Sequence, residues 1–208
     1  MTAAGPLAAD RVRVLREGHV PDVAAAEAAA EQFLRALGVA TTGPGLDETP
    51  GRMAHAYAEM LTPRTFDLTT FPNDEGYDEL VLARSIPLQS LCEHHMLPFV
   101  GVAHVGYLPQ DRIVGLSKLA RVVELFARRP QVQERLTKQV ADWLHGHLQP
   151  RGVGVVLEAE HLCMSLRGVR SPGSTTVTST LLGTLREDPR SRAEFLALTG
   201  QPVGRSRS

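Results

Sequence analysis

Residues 98–109 read PFVGVAHVGYLP, and side chains of two kinds alternate along this stretch. Val100, Val102 and His104 fall in one set, while Ala103 and Val105 fall in the other. Alternation with a period of two is typical of a β-strand whose faces meet different surroundings. The preceding ELVLARSIPLQSL, residues 79–91, is also rich in strand-forming residues. The two stretches predict a pair of adjacent strands.

Two helices are predicted to follow this strand pair. GLSKLARVVELFARR (115–129) has apolar residues at helical spacing, and Pro130 is expected to end that helix. PQVQERLTKQVADWLHGHL (130–148) then places Leu136, Val140 and Leu144 on one helix face. Two later segments, 152–169 and 175–185, favour strands, and Asp188 followed by proline opens a last helix. Strands on both sides of a helix pair predict an α+β fold, with helices on one face of an antiparallel sheet.

The first third of the chain predicts helices. DVAAAEAAAEQFLRALG begins at Asp22, a potential N-cap, and stops at Gly38. Its alanine-rich face suits either close packing against another subunit or simple exposure to solvent. In DETPGRMAHAYAEML, Thr49 is expected to cap a second helix with Pro50 in its first turn.

The following segment, TPRTFDLTTFPNDEGYD, is expected to be irregular. We therefore divide the chain into a disordered N-terminal extension (1–21), an N-terminal helical region (22–78), a sheet-containing domain (79–199) and a flexible tail (200–208).

Composition excludes several classes of protein. The chain has 208 residues, 43% of them apolar, which is enough to bury a core. Its formal net charge of -1 disfavours binding of nucleic acid or an anionic membrane through a global field. Only two cysteines occur, too few for a disulfide scaffold. With no signal peptide and no membrane-spanning run in the sequence, we expect a cytoplasmic protein with reduced thiols.

The stretch SLCEHHMLPFVG, residues 90–101, carries the most reactive side chains of the sequence. Cys92 and His95 have the C-x-x-H spacing that places a thiolate and an imidazole on one metal ion. Cys163, the other cysteine, lies in another strand of the same predicted sheet and offers a third ligand. Three protein ligands and an open position are typical of a catalytic zinc. Two core cysteines beside solvated histidines remain the alternative.

Two more histidines accompany this set. His94 adjoins His95, and His161 lies two residues before Cys163. Residues two apart in a strand share a face, so we expect His161 and Cys163 to project together. A histidine beside a metal without binding it is well placed for proton transfer.

A local group of cations suggests an anionic ligand. Lys118 and Arg121 share one helix face, and Arg167 follows Cys163 by four residues, on the same face if the strand is regular. Ser117 lies at the helix start, where backbone N–H groups favour an anion. The group fits a polyphosphate, although for each charge taken alone a solvated surface position is the favoured interpretation.

A possible base-binding pair opens the second long helix. Gln133 and Glu134 follow Pro130 closely, and a carboxylate can accept hydrogen bonds from N1–H and the 2-amino group of guanine. The alternative for Glu134 is a favourable interaction with the helix dipole.

The chain strongly resembles the GTP cyclohydrolase I family in three long stretches: CEHHMLPFVGVAHVGYLP, GLSKLARVVELFARRPQVQERLTKQVA and GVGVVLEAEHLCMSLRGVRSPGSTTVTSTLLGTLREDPRSRAEFL. The upstream TPGRMAHAY and YDELVLARSIPLQSLCEHH resemble it as well. The resemblance covers about Thr49 to Leu198, and the motifs occur in the family's order.

This resemblance implies a tunnelling fold, in which sheets from several subunits join into a barrel. It also implies a homodecamer of two pentameric rings with active sites between subunits. The implied reaction is zinc-dependent opening of the imidazole ring of GTP at C8, with release of formate. Rearrangement and recyclisation then give 7,8-dihydroneopterin triphosphate, the first step of tetrahydrofolate and pterin biosynthesis.

By motif position, the resemblance also assigns a role to each candidate residue. The implied roles are zinc binding for Cys92, His95 and Cys163; proton transfer for His94 and His161; guanine binding for Glu134 and Gln133; triphosphate binding for Lys118, Arg121, Arg167 and a neighbouring subunit's Arg52; and assistance to the sugar rearrangement for Ser117.

Three other functions compete with this one. A related enzyme that opens the purine ring but stops early, or that uses another nucleotide, is disfavoured by the intact set of Glu134, Lys118 and Arg167. A non-catalytic scaffold of the same fold would need neither His94 nor His161. A zinc-containing nucleic-acid module is disfavoured because the chain is nearly neutral and has no basic stripe.

Overall fold

The computed structural model describes residues 10–14 and 20–200. These residues form eight strands and seven helices. The strands are β1 (Asp10–Val14), β2 (Phe66–Pro72), β3 (Val81–Cys92), β4 (Pro98–Leu108), β5 (Arg112–Val114), β6 (Pro130–Gln131), β7 (Gly152–His161) and β8 (Thr175–Gly183). The helices are α1 (Val23–Ala36), α2 (Thr49–Met60), α3 (Leu116–Ala127), α4 (Gln133–Leu148), α5 (Leu162–Ser165), α6 (Thr184–Glu187) and α7 (Pro189–Leu198).

The main sheet has five strands in the order β6-β3-β4-β7-β8. All neighbouring pairs are antiparallel except β3 with the short β6. The strand pair predicted from residues 79–109 is therefore confirmed, as is the α+β fold with an antiparallel sheet. The joining of sheets into a barrel in an oligomer stays a prediction.

The helix pair α3 and α4 covers one face of this sheet. Val122 of α3 and Val140 of α4 are fully buried against a layer that contains Ala103, Val105 and Val155 of the strands. The apolar faces read from the sequence are thus the buried faces. Helix α3 ends before Pro130, which begins β6, because proline cannot donate the backbone hydrogen bond of a helix interior.

The opposite face of the sheet holds helix α7. Its Phe195 is fully buried and packs with Val156. Gly106 and Gly154 lie directly opposite each other on β4 and β7. A Cβ added to Gly154 would lie 2.6 Å from the Phe195 ring, and one added to Gly106 would lie 3.1 Å from it. The two glycines therefore form a slot into which the ring fits.

A second sheet, with the order β1-β2-β5, was not predicted. Strand β2 lies in the segment expected to be irregular, and β1 lies in the extension expected to be disordered. Both expectations are wrong for these residues, because β1 and β2 satisfy each other's backbone hydrogen bonds along a five-residue antiparallel register. Residues 1–9, 15–19 and 201–208, where the rest of the extension and most of the tail were placed, lie outside the described residues.

The N-termini of α1 and α2 lie at or next to the positions predicted from the sequence. Asp22 caps α1 through a 3.0 Å bond from the Ala25 amide, as predicted. Thr49, however, is the first residue of α2, and Glu48 stands at the N-cap without a side-chain bond. The cap predicted at Thr49 is therefore wrong by one residue. None of the described helices is both long and apolar enough to span a bilayer.

Candidate active site

The turn between β3 and β4 brings the residues of the C-x-x-H motif together. Cys92 ends β3, and residues 93–95 form the turn. The Met96 amide donates to the Cys92 carbonyl, and the Cys92 amide donates to the Leu97 carbonyl, both at 2.8 Å. Met96 has a φ of 53°, a left-handed conformation that reverses the chain sharply. The turn therefore places His95 beside the thiol at the end of the strand.

Cys92, His95 and Cys163 form one group of potential metal ligands. One donor atom from each lies within 4.8 Å of the other two, and Cys92 Sγ is 3.9 Å from His95 Nδ1. Donor atoms around a tetrahedral zinc lie roughly 3.3 to 3.8 Å apart, as follows from zinc–ligand distances of about 2.0 to 2.3 Å. Both thiols are buried, whereas His95 is exposed. The set fits zinc held by three protein ligands.

Cys163 reaches this group from a helical turn. Strand β7 ends at His161, and the four-residue helix α5 begins immediately after it. The expectation that His161 and Cys163 share a strand face is therefore wrong, as is the placement of Arg167 on that face. The sequence LCMS favours the turn because leucine and methionine are good helix formers.

The surroundings of Cys163 favour its neutral thiol. Burial raises the pKa of the Cys163 thiol, and the neighbouring Cys92 thiol raises it further. Arg167 acts in the opposite direction, because its positive charge favours the thiolate. A bound cation would act as Arg167 does and much more strongly, since metal coordination deprotonates a thiol outright.

The ring of His161 is held between an aromatic ring and a buried amide. It stacks on Phe99, its cross-strand partner, with centroids 4.6 Å apart and planes at 11°. Its Nε2 lies 2.8 Å from Oε1 of Gln133. Burial lowers the pKa of His161, while the carboxylate of Glu134 opposes that shift. The ring is therefore fixed in position close to the cysteine pair.

His94 and Arg167 lie on the exposed side of the group. His94 Nδ1 is 3.8 Å from Cys92 Sγ, and Arg167 Nη1 is 3.0 Å from His95 Nε2. The structure thus gathers the three potential ligands, the two extra histidines and one arginine at a single end of the sheet. Such a set can bind a metal, transfer protons and hold an anion.

A second cluster of cations lines a cleft of about 400 Å³. Lys118 and Arg121 of α3 line it together with Arg64 and residues of β2. Glu124 accepts two hydrogen bonds from Arg64, at 2.7 and 2.9 Å, and one from Arg121 at 3.1 Å. Of the described residues that line this cleft, none belongs to the metal group.

The comparison with known proteins identifies the family. A family model described as GTP cyclohydrolase I matches residues 26–200. A protein named GTP cyclohydrolase 1 from Mycobacteroides abscessus is 56% identical over 188 residues, which is 87% of this chain and 91% of the relative. A protein of the same name from Aquifex aeolicus is 54% identical over 166 residues, 80% of this chain and 90% of the relative.

The chain belongs to the GTP cyclohydrolase I family. It is therefore an enzyme of the GTP cyclohydrolase I class, and the resemblance seen in the sequence is confirmed.

Three of the residues expected to bind substrate in a GTP cyclohydrolase I lie away from the metal group's direct contacts. Ser117 is exposed in the first turn of α3, and Glu134 is exposed in the first turn of α4. The side chain of Arg52 bonds to Glu48 at 2.8 Å and to the Gly45 carbonyl at 2.9 Å. Their roles in GTP cyclohydrolase I chemistry remain predictions.

Two residues were missed in the sequence: Arg64, which lines the cationic cleft, and Glu124, which bonds to Arg64 and Arg121. Arg64 lies in the loop after α2, and no motif marks it. Glu124 lies three residues after Arg121, a spacing at which opposite charges on a helix pair. Only that spacing could have pointed to Glu124, because its main partner, Arg64, is distant in sequence.

Proposed function

We propose that this chain converts GTP to 7,8-dihydroneopterin triphosphate and formate, as the first step of tetrahydrofolate and pterin biosynthesis. The convergence of Cys92, His95 and Cys163 from two separate segments is the observation that carries the proposal. Zinc bound there would lower the pKa of a water molecule and so supply the nucleophile for opening the purine at C8.

His161 and His94 are proposed to move the protons of the reaction. His161 is fixed by Phe99 and Gln133, so it can meet the purine in one orientation. It would deliver a proton to N7 as the imidazole ring opens. The exposed His94 would exchange protons with solvent and substrate at the open side of the site.

The substrate is proposed to be held from both ends. The exposed carboxylate of Glu134 would accept hydrogen bonds from the guanine edge. Lys118, Arg121 and Arg167 would bind the triphosphate, with Ser117 near the ribose, where it would assist the sugar rearrangement. Binding at the unreactive phosphates orients the base and the sugar for chemistry.

We also propose that two copies of the chain complete each site. The cleft lined by Lys118 and Arg121 contains no described ligand of the metal group, so one copy would supply the cations and its neighbour the metal. The main sheet ends in β6 and β8, whose outer edges suit strand pairing between subunits. This supports a ring assembly, proposed as a decamer of two pentamers to which a neighbour's Arg52 also contributes.

The proposed location is the cytoplasm, and GTP is the proposed partner. Both described cysteines are free, as expected of a reducing compartment. Neither nucleic acid nor a membrane is a proposed partner.

The decisive experiment incubates the purified protein with GTP, with and without a chelator. Formate is measured directly, and neopterin is measured by fluorescence after oxidation and dephosphorylation. Chelator-sensitive formation of both products is expected. Formate without neopterin would mean that the reaction stops at ring opening. Neither product from a zinc-loaded, folded oligomer would contradict the proposal and favour a scaffold.

A further inference from the structure

We propose that Gln133 is a positioning residue that sets the orientation of the His161 ring, and that its side chain does not contact guanine. The inference rests on the proposed function, because it concerns how His161 is presented to the purine. It replaces the expectation that Gln133 holds the base together with Glu134.

The orientation of the Gln133 amide is fixed by what surrounds each end. The Nε2 end lies 3.2 Å from the Leu157 carbonyl, 2.9 Å from the Thr176 carbonyl and 3.1 Å from Thr178 Oγ1. Carbonyl oxygens only accept hydrogen bonds, so this end must be the NH₂ group. The oxygen, Oε1, therefore faces His161.

This arrangement selects one edge of the His161 ring. Oε1 of Gln133 can only accept, so Nε2 of His161, at 2.8 Å, must carry a hydrogen and donate it. Nδ1 is then the ring nitrogen on the edge that Gln133 leaves available to the substrate. Stacking on Phe99 fixes the plane of the ring, and the bond from Gln133 fixes which edge points away.

Burial separates the roles of the two neighbouring residues. Gln133 is 1% exposed, and both ends of its amide already have partners inside the chain. The hydroxyl of Thr137 holds the same helical turn through a 2.7 Å bond to the Gln133 carbonyl. Glu134 is exposed, so it alone of the pair can reach a ligand.

The test compares Gln133→Met with the wild type, with Gln139→Met as the control. Methionine has nearly the length of glutamine but offers only a weakly accepting thioether in place of the amide oxygen that accepts the bond from His161. Gln139 lies on the same helix and bonds to Gln131 at 2.8 Å instead. Two quantities are measured: kcat and KM for GTP in zinc-loaded protein, and the orientation of the His161 ring in crystal structures.

For Gln133→Met we expect kcat to fall roughly ten- to hundredfold with KM nearly unchanged, a loss of the size seen when the hydrogen-bond partner of a metal-bound histidine is removed. We also expect the His161 ring to leave its stack on Phe99 or to occupy two orientations. Gln139→Met should change neither quantity.

Each other outcome overturns the proposal. A raised KM with an unchanged kcat would mean that Gln133 binds the base after all. If the His161 ring keeps its orientation in Gln133→Met, or if it rotates while kcat stays unchanged, Gln133 is not a positioning residue. If the wild type itself forms no formate from GTP, the proposed function fails separately, and the ring orientation in Gln133→Met still decides whether Gln133 positions His161.

Discussion

At the scale of single residues, Cys163 shows that the members of the metal group were easier to predict than their geometry. The sequence predicted its membership of the metal group correctly but placed it on a strand, whereas the thiol projects from a helical turn. The prediction of the group succeeded because only two cysteines and one C-x-x-H motif had to be matched. The geometry could not be predicted, because it depends on where β7 stops.

Replacing Cys163 with serine should remove the bound metal. A hydroxyl is a much poorer zinc ligand than a thiolate, and two remaining ligands hold a metal weakly. We expect metal content close to zero and formate release lowered about a hundredfold or more, since even partners of metal ligands contribute ten- to hundredfold. Metal content is measured by mass spectrometry, with the exposed Met164→Leu as a control on the same turn. Full zinc content in Cys163→Ser would contradict the assignment.

His104 should make stability depend on pH. It is buried in β4, where its Nδ1 accepts a 3.4 Å bond from the Ser85 amide. Burial lowers the pKa of His104, Arg84 lowers it further, and Glu158 opposes them. The folded pKa therefore lies below the unfolded value of about 6.5. The free energy of unfolding is at its full value above that pH and decreases as the pH falls toward the folded pKa.

His104→Gln should reduce this decrease. Glutamine keeps an acceptor but takes up no proton, so the variant should lose less stability than the wild type between about pH 7.5 and pH 5.5. Denaturant unfolding at both pH values measures the difference. Replacing the exposed His145 with glutamine is the control, and an equal decrease in His104→Gln and wild type would show that His104 does not contribute.

At the scale of elements, the long periodic segments were predictable and the short ones were not. Helices α3 and α4 follow from apolar residues at helical spacing, because one face of each packs on the sheet. Strand β2 was missed although Phe66, Leu68 and Thr70 alternate with exposed or half-buried residues. The segment around it was expected to be irregular, and its partners β1 and β5 lie far away in the sequence. Pairing between distant segments overrode the local preference.

The docking of α7 depends on the slot formed by Gly106 and Gly154. Phe195→Ala should lower the free energy of unfolding by about 3 to 5 kcal/mol, because it leaves a cavity over two residues that have no side chains to fill it. Thermal or denaturant unfolding measures this change. Leu198→Ala, on the same helix but 45% exposed, should have an effect within about 0.5 kcal/mol. Similar losses in both variants would mean that the slot has no special role.

At the scale of the whole molecule, the metal group and the cationic cleft are separate within one chain. A site shared between copies predicts that two inactive variants can restore each other. Cys163→Ser damages the metal half, and Lys118→Gln damages the cationic half. In rings that assemble at random from equal amounts of the two variants, about a quarter of the sites should be active. Each site takes its metal half from one chain and its cationic half from another, and each of these halves is intact with a probability of about one half.

The control for this mixture combines two defects in the same half. Cys92→Ser with Cys163→Ser should restore nothing, since no pairing of copies contains an intact metal group. Formate release by co-expressed, co-purified chains is the measurement. Activity that stays absent when Cys163→Ser and Lys118→Gln co-assemble would show that both halves belong to one chain.

The edge strand β8 has a consequence for how the protein behaves while it is being made. Its sequence, TTVTSTLLG, contains no charged residue and no proline, and it ends the main sheet of the described chain. Edge strands without such protection invite wrong partners. If copies pair along this edge as proposed above, a newly synthesised chain is prone to aggregate until a neighbouring copy covers the strand. We expect variants that assemble slowly to collect in inclusion bodies at the expense of soluble monomer, so the soluble yield at matched expression reports on assembly.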